Sequence, residues 1–150
     1  MPTSARSGGG ARRRPLTKAD FESLSEFRYQ LRRFLRFSED AAQREGLTPL
    51  QYQLLLHVKG YPGRAWATVG ELAERLQTQQ HGVVALLSRC ETAGLVTRSA
   101  GDTDRRQVHV RLTGAGEASL HRLAEQHRAE LESLSAVFQV AHITAYNDRG

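Results

Sequence analysis

The sequence predicts a mainly α-helical chain carrying one small β-wing, and three observations carry that prediction. Residues Gly94 to Gly116 hold two short alternating runs joined by a turn. Apolar residues recur every three or four positions near both ends of the chain. A pair of helix signals separated only by Gln77-Thr78 lies just upstream of the alternating runs. Two helices meeting at a tight turn, the second running into a hairpin, make a helix-turn-helix with a wing.

Residues 1–16 contain Ser4, Ser7, Gly8-Gly9-Gly10 and Arg12-Arg13-Arg14 before Pro15, a composition that cannot bury enough surface to fold and reads as a disordered tail. Its arginine run either touches a polyanion or is simply solvated. From Thr17 the pattern turns helical. Thr17 caps, Asp20 follows three residues later, and Phe21, Leu24, Phe27, Leu31, Phe34 and Leu35 repeat at helical spacing to about Arg44. Gly46 stops this helix, and Thr48-Pro49 opens the next in cap-then-proline order, running to about Lys59. There Leu50, Leu54 and Val58 mark one apolar stripe and Tyr52, Leu55 and Leu56 another, so the helix is expected to be covered on two sides.

Gly60 to Gly63 read as a turn and Ala65-Trp66-Ala67 as a short strand, after which Thr68 and Glu71 form a capping box for a helix through Leu76. Gln79 to Ala93 form the next helix, with Val83, Leu86, Leu87 and Cys90 on one face. In the hairpin, Leu95, Thr97 and Ser99 alternate with Val96 and Arg98. On the return, Val108, Val110 and Leu112 alternate with His109 and Arg111, so one face is apolar and must pack on a neighbour. Gly101, Asp102 and Asp104 suit the connecting turn. Beyond it Thr113 caps a last helix, in which Leu120, Leu123, His127, Leu131, Leu134 and Phe138 form a heptad-like seam. With the first helix, this seam leaves more apolar stripe than one small winged domain covers, which implies a second copy related by a two-fold axis. The expected organisation is a single domain over 17–140, with dimer helices at about 17–45 and 114–140 and the winged helix-turn-helix at about 48–113. Residues 141–150 are expected to fray.

A chain of 150 residues with 25% charged residues and a mean hydropathy of −0.50 has a thin core for a monomer with long helices, which again points to a homodimer. Net charge of +5 and a pI near 10.0 favour an anionic partner. One cysteine excludes a disulfide framework and a cysteine-rich zinc site. No run approaches the roughly 18 apolar residues of a membrane span, and no apolar stretch follows the N-terminal arginines, so the expected location is cytoplasmic, without a membrane partner. His121 and His127, six residues apart, fall on different helix faces, and no other pair has metal-ligand spacing. Gly114-x-Gly116 has Ser119 where a dinucleotide loop needs its third glycine. No nucleophile, base and orienter can be assembled. The reading is therefore a binding protein with no cofactor and no metal, and not an enzyme.

Leu72-Ala73-Glu74-Arg75-Leu76, the run Leu86-Leu87-Ser88-Arg89-Cys90-Glu91-x-x-Gly94-Leu95-Val96, and Asp104-Arg105-Arg106 followed by Val110-x-Leu112-Thr113-x-x-Gly116 occur in that order. In that order and spacing they resemble the MarR family of bacterial transcription regulators, over roughly residues 20 to 138. The resemblance implies an obligate homodimer joined through its first and last helices. It also implies two winged lobes on a pseudo-palindromic operator in double-stranded DNA, and repression relieved by a small aromatic or anionic ligand. The chain departs from the family at Gln79, Gln80, His81, Gly82, Val84 and Ala85, where members usually carry a serine, a threonine and a basic residue. Cys90 stands where leucine is usual.

These departures place direct base readout on Gln79, Gln80 and His81. A glutamine amide there either pairs bidentately with adenine, meets a phosphate at the helix N-terminus, or merely caps the helix. Ser88 and Arg89 lie nearer the helix end, where Arg89 reaches a phosphate or pairs with Glu91 or the wing. At the hairpin tip Arg106 can enter a minor groove with Asp104 holding its guanidinium, or the two form only a surface ion pair. Arg98 and Arg105 are expected phosphate contacts. Redox-sensing members of the family use a thiol in the first helix and this chain has none there, so Cys90, on the apolar face of its helix, reads as a buried inert thiol. Arg33, Phe34, Phe37, Leu54, His57 and Trp66 are candidate ligand-pocket residues, the alternative being plain core.

Overall fold

Threonine hydroxyls open four of the five helices in the computed structural model, which describes residues 13–139, with backbone alone at 129–131 and 133–139. The helices are α1 (Lys18–Arg44), α2 (Pro49–Lys59), α3 (Val69–Leu76), α4 (Gln80–Thr92) and α5 (Gly114–Gln139), and the strands are β1 (Ala67–Thr68), β2 (Val96–Ala100) and β3 (Val108–Leu112). Ahead of α1, the Asp20 N–H donates to Thr17 Oγ1 while the Thr17 N–H donates to the Asp20 carboxylate at 2.8 Å. Reciprocal capping boxes join Thr48 to Gln51 and Thr68 to Glu71. At α5 the Gly116 N–H donates to Thr113 Oγ1 at 3.0 Å, and that hydroxyl donates in turn to the Gly94 carbonyl. Each box satisfies backbone donors that a helix start leaves open. Helix α4 alone starts without one, Gln79 making no side-chain cap bond.

The expected strand at 65–67 forms two residues later in part. Only Ala67 and Thr68 pair, with Val110 and His109, giving an antiparallel sheet of order β1-β3-β2. Thr68 cannot extend the strand because its hydroxyl already caps α3. In the hairpin, Val96 faces Leu112, Arg98 faces Val110 and Ala100 faces Val108, so the packed face belongs to Val96, Val110 and Leu112. Thr97 and Ser99 are exposed, and Val108, at the far end of the ladder, is 38% exposed. His109, expected on the solvent side, is buried because Trp66 covers it.

Residues Arg33–Ser133 form one packed unit, and α1 up to Arg32 and α5 from Leu134 belong to another. The core of the larger unit joins Leu54, Leu55 and Val58 of α2, Leu72 of α3, Val83, Leu87 and Cys90 of α4, Val96 and Val110 of the sheet, and Leu120 and Leu123 of α5. Helix α2 is buried on two sides as its stripes require, except that Leu50 and Leu56 are exposed. The α5 seam differs from expectation: Leu120, Leu123 and His127 turn into the chain's own core, where α2 and the last turns of α1 cover them. A heptad pattern fixes which face is apolar, not which partner covers it. The side chains of Leu131, Leu134 and Phe138, like residues 1–12 and 140–150, lie outside the described residues.

Candidate nucleic-acid interface

Helix α4 divides cleanly. Val83, Leu86, Leu87 and Cys90 face the core, and Gln80, His81, Val84, Ala85, Ser88 and Arg89 face solvent. It is aimed by a tight turn in which Gln77 adopts a left-handed backbone (φ 53°), its N–H bonds back into α3, and the Thr78 N–H bonds the Ala73 carbonyl at 3.0 Å. Gly70 of α3 leaves room for the Gln80 amide, whose nitrogen lies 3.6 Å from where a Cβ at that glycine would stand. Gln79 and Gln80 thus project at the open start of a helix whose first N–H groups carry no side-chain cap. Ser88 is less available than its position suggests, because its hydroxyl donates to the Val84 carbonyl at 3.1 Å.

The wing arginines have three different surroundings. Arg98 is bound in two places by Glu91 at the end of α4, at 3.0 and 3.3 Å; this bond holds the Glu91 carboxyl below its ordinary pKa and raises that of Arg98. Where the sequence suggested a phosphate contact, Arg98 is a strut between α4 and β2. The pairing also takes Glu91 away from Arg89, which is exposed. Arg105 stands out from the tip. The Arg106 side chain is 95% exposed, with its Nε 3.5 Å from Asp104, and Asp104 holds the Arg106 backbone N–H more closely, at 3.0 Å. The carboxylate therefore shapes the turn and leaves the guanidinium extended.

The wing root is held by a stack that the sequence reading missed. Trp66 lies 3.6 Å from His109, nearly parallel, and the Arg64 guanidinium sits 3.8 Å from the Trp66 ring centre. Two groups that close to one indole centre cannot share a face, so the tryptophan is sandwiched. Arg64 also covers Tyr61 at 4.3 Å and is ion-paired with Glu71. Burial pushes the Glu71 carboxyl up, but bonds from Arg64 and the Thr68 backbone outweigh it and hold the pKa below the usual value. The clue available in the sequence was Tyr61-x-x-Arg64-x-Trp66. Its partner His109 becomes visible only through the sheet register.

The candidate pocket residues separate. Phe34 and Phe37 meet His127 edge-on at 5.9 and 5.4 Å, and Tyr52 stacks on the same ring at 4.9 Å. His127 Nδ1 is 2.6 Å from the Leu123 carbonyl, which can only accept, so Nδ1 carries the proton and Nε2 faces the Ser38 hydroxyl at 2.9 Å. Leu54 is wholly buried, Trp66 belongs to the wing-root stack, and Arg33 is exposed. His57 is half-buried, and burial followed by the charge of Arg75 lowers its pKa. Burial pushes the Cys90 thiol up to about 11. Among the described residues no group of three or more His, Cys, Asp or Glu could hold a metal ion, and no helix is long and apolar enough to cross a membrane.

The family model of the MarR family matches residues 45–107, from the turn after α1 through the wing turn. The HTH-type transcriptional repressor MdtR of Bacillus subtilis is 26% identical over 112 residues, covering 71% of this chain and 70% of that protein. Over these residues the chain is similar to members of the MarR family. The relatives it matches are named as transcriptional regulators. The crystal structure of AbsC, a MarR family transcriptional regulator from Streptomyces coelicolor, superposes with a TM-score of 0.68 at 23% identity, covering 91% of this chain and 99% of that one. A mutant MarR from E. coli, solved in complex with operator DNA, superposes with a TM-score of 0.61 at 20% identity over 79% of this chain and 83% of that one. At these identities the two structures show a shared winged-helix fold. In that fold, α3 and α4 are the two helices of the helix-turn-helix, and β2–β3 is the wing.

Proposed function

We propose that this chain is a cytoplasmic, sequence-specific repressor that binds a pseudo-palindromic operator as a homodimer, placing α4 of each copy in the major groove and each wing tip against the flanking backbone. The observation that carries this reading is the juxtaposition of the outward face of α4 with the wing: one groove is walled by Val84 of α4 and by Arg105 and Val108 of the wing. Gln79, Gln80 and His81 supply hydrogen-bonding heads at the start of α4, and Arg105 and Arg106 supply exposed charge at the tip. Polar heads read base edges while charges neutralise phosphates and release counterions. That one relative is named a repressor and that a family member was solved with operator DNA supports the same reading.

The homodimer rests on α1. Phe21 and Leu24 fall within about 60° of one another on the helix, and Phe21 is 55% exposed; a second copy covers this stripe. The single domain over 17–140 is then one subunit of that dimer. Phe34, Phe37 and Leu54 are packed from within the chain.

Selection from a random duplex library by the full-length protein tests the proposal. The enriched sequences are expected to be inverted repeats with half-site centres one helical turn, about 34–36 Å, apart. Enrichment of a non-symmetric site bound by one subunit, or no enrichment, overturns it.

A further inference from the structure

We propose that Val84 reads the 5-methyl group of a thymine in the major groove, so that part of the specificity of this chain comes from an apolar contact; the inference rests on the DNA-binding reading above. Val84 sits on the outward face of α4, four residues after Gln80 and four before Ser88, and it is 44% exposed while its neighbour Val83 is wholly buried. The core therefore does not use it. Toward the C-terminal end of α4 little polarity stands beside it: the Ser88 hydroxyl is turned back onto the Val84 carbonyl, and Gly82 and Ala85 carry no polar head. Between the polar heads of Gln80 and His81 and the charge of Arg89, Val84 and Ala85 make the middle of this face hydrocarbon.

That surface continues across to the wing. Val84, Val69 of α3 and Val108 of β3 line one groove together with Arg105 and the Glu91-paired Arg98. An apolar wall beside the charge of Arg105 fits an edge that is itself apolar but attached to a polyanion. Among the groups that the four bases display in the major groove, only the thymine methyl is apolar. A cytosine or adenine amino group set against Val84 would lose its water without gaining a partner, which disfavours those bases at the same position.

The test uses the full-length protein and the duplex that it enriches from a random library, resynthesised with each thymine in turn replaced by deoxyuridine, which removes only the methyl group. Burying one methyl corresponds to about fourfold in affinity. We expect one thymine in each half-site whose replacement weakens wild-type binding by about that factor. Val84→Ala, which should fold normally because the side chain is outside the core, is expected to bind the thymine and deoxyuridine duplexes equally. A flat deoxyuridine scan with the wild-type protein overturns the proposal and leaves the DNA-binding reading standing. So does a thymine dependence that survives in Val84→Ala, since another residue then reads the methyl. Equal weakening of selected and scrambled duplexes by Val84→Ala also overturns it, placing Val84 against the sugar backbone. Failure to enrich any duplex overturns both readings together.

Discussion

At Gly116 the backbone of another segment passes so close that a Cβ would fall 2.1 Å from the Leu95 carbonyl oxygen. The glycine lets the first turn of α5 pack on the link between α4 and β2, while Thr113 ties the same junction to Gly94. Gly116→Ala is expected to cost about 1–3 kcal/mol, the usual range for overpacking, measured as a fall in the urea midpoint. Cys90 makes a second prediction. With its thiol pushed up to about 11 by burial and the thiolate being the reactive form, the native protein at pH 8 should resist a thiol reagent that labels it fully in denaturant; rapid native labelling would contradict the buried position. His57 supplies a pH dependence. Its pKa lies below the usual 6.5 in the folded chain, so above that pH both states are neutral and the residue is silent. As pH falls below 6.5 the unfolded chain takes up the proton first, and stability drops until the folded pKa is passed. The melting temperature of His57→Gln should therefore fall less than that of the wild type between neutral pH and pH 5, and parallel curves would refute the assignment.

Elements were legible wherever their signals are local. The threonine caps, the glycine stops and the inward face of α4 can be read directly because a cap and a helical period involve residues within one or two turns. What covers each face is a non-local matter, and there the reading failed: Leu120, Leu123 and His127 carry a seam pattern but pack inward, and His109 looks solvent-facing until Trp66 is laid across it. Site residues divide the same way. The positions of Gln79, Gln80 and Arg106 follow from the helix start and the turn, whereas the commitment of Arg98 to Glu91 and the wing-root stack depend on how strands register. This stack gives the wing its own test. Trp66→Ala removes an aromatic pair and a cation–π contact, together about 1–2 kcal/mol, and should accelerate amide exchange in β3 while leaving α2 protected. Uniform exchange across both elements would mean that the stack does not specifically hold the wing.

For the molecule as a whole, the exposed α1 stripe and the basic charge are the two features that need partners. Wild-type protein at micromolar concentration should sediment at twice 16.7 kDa, and Leu24→Asp should shift it to the monomer; a wild-type monomer would remove the case for a two-fold operator complex. The most direct test of the account is fluorescence anisotropy across a salt series on the selected duplex and a scrambled one, with wild-type, Arg106→Ala and Gln80→Ala proteins. Arg106→Ala should weaken both duplexes and flatten the salt dependence by about one counterion per subunit, whereas Gln80→Ala should cost about 1–3 kcal/mol on the selected duplex alone. Binding that is indifferent to salt, or a Gln80→Ala loss equal on both duplexes, would contradict base reading by α4 and backbone anchoring by the wing.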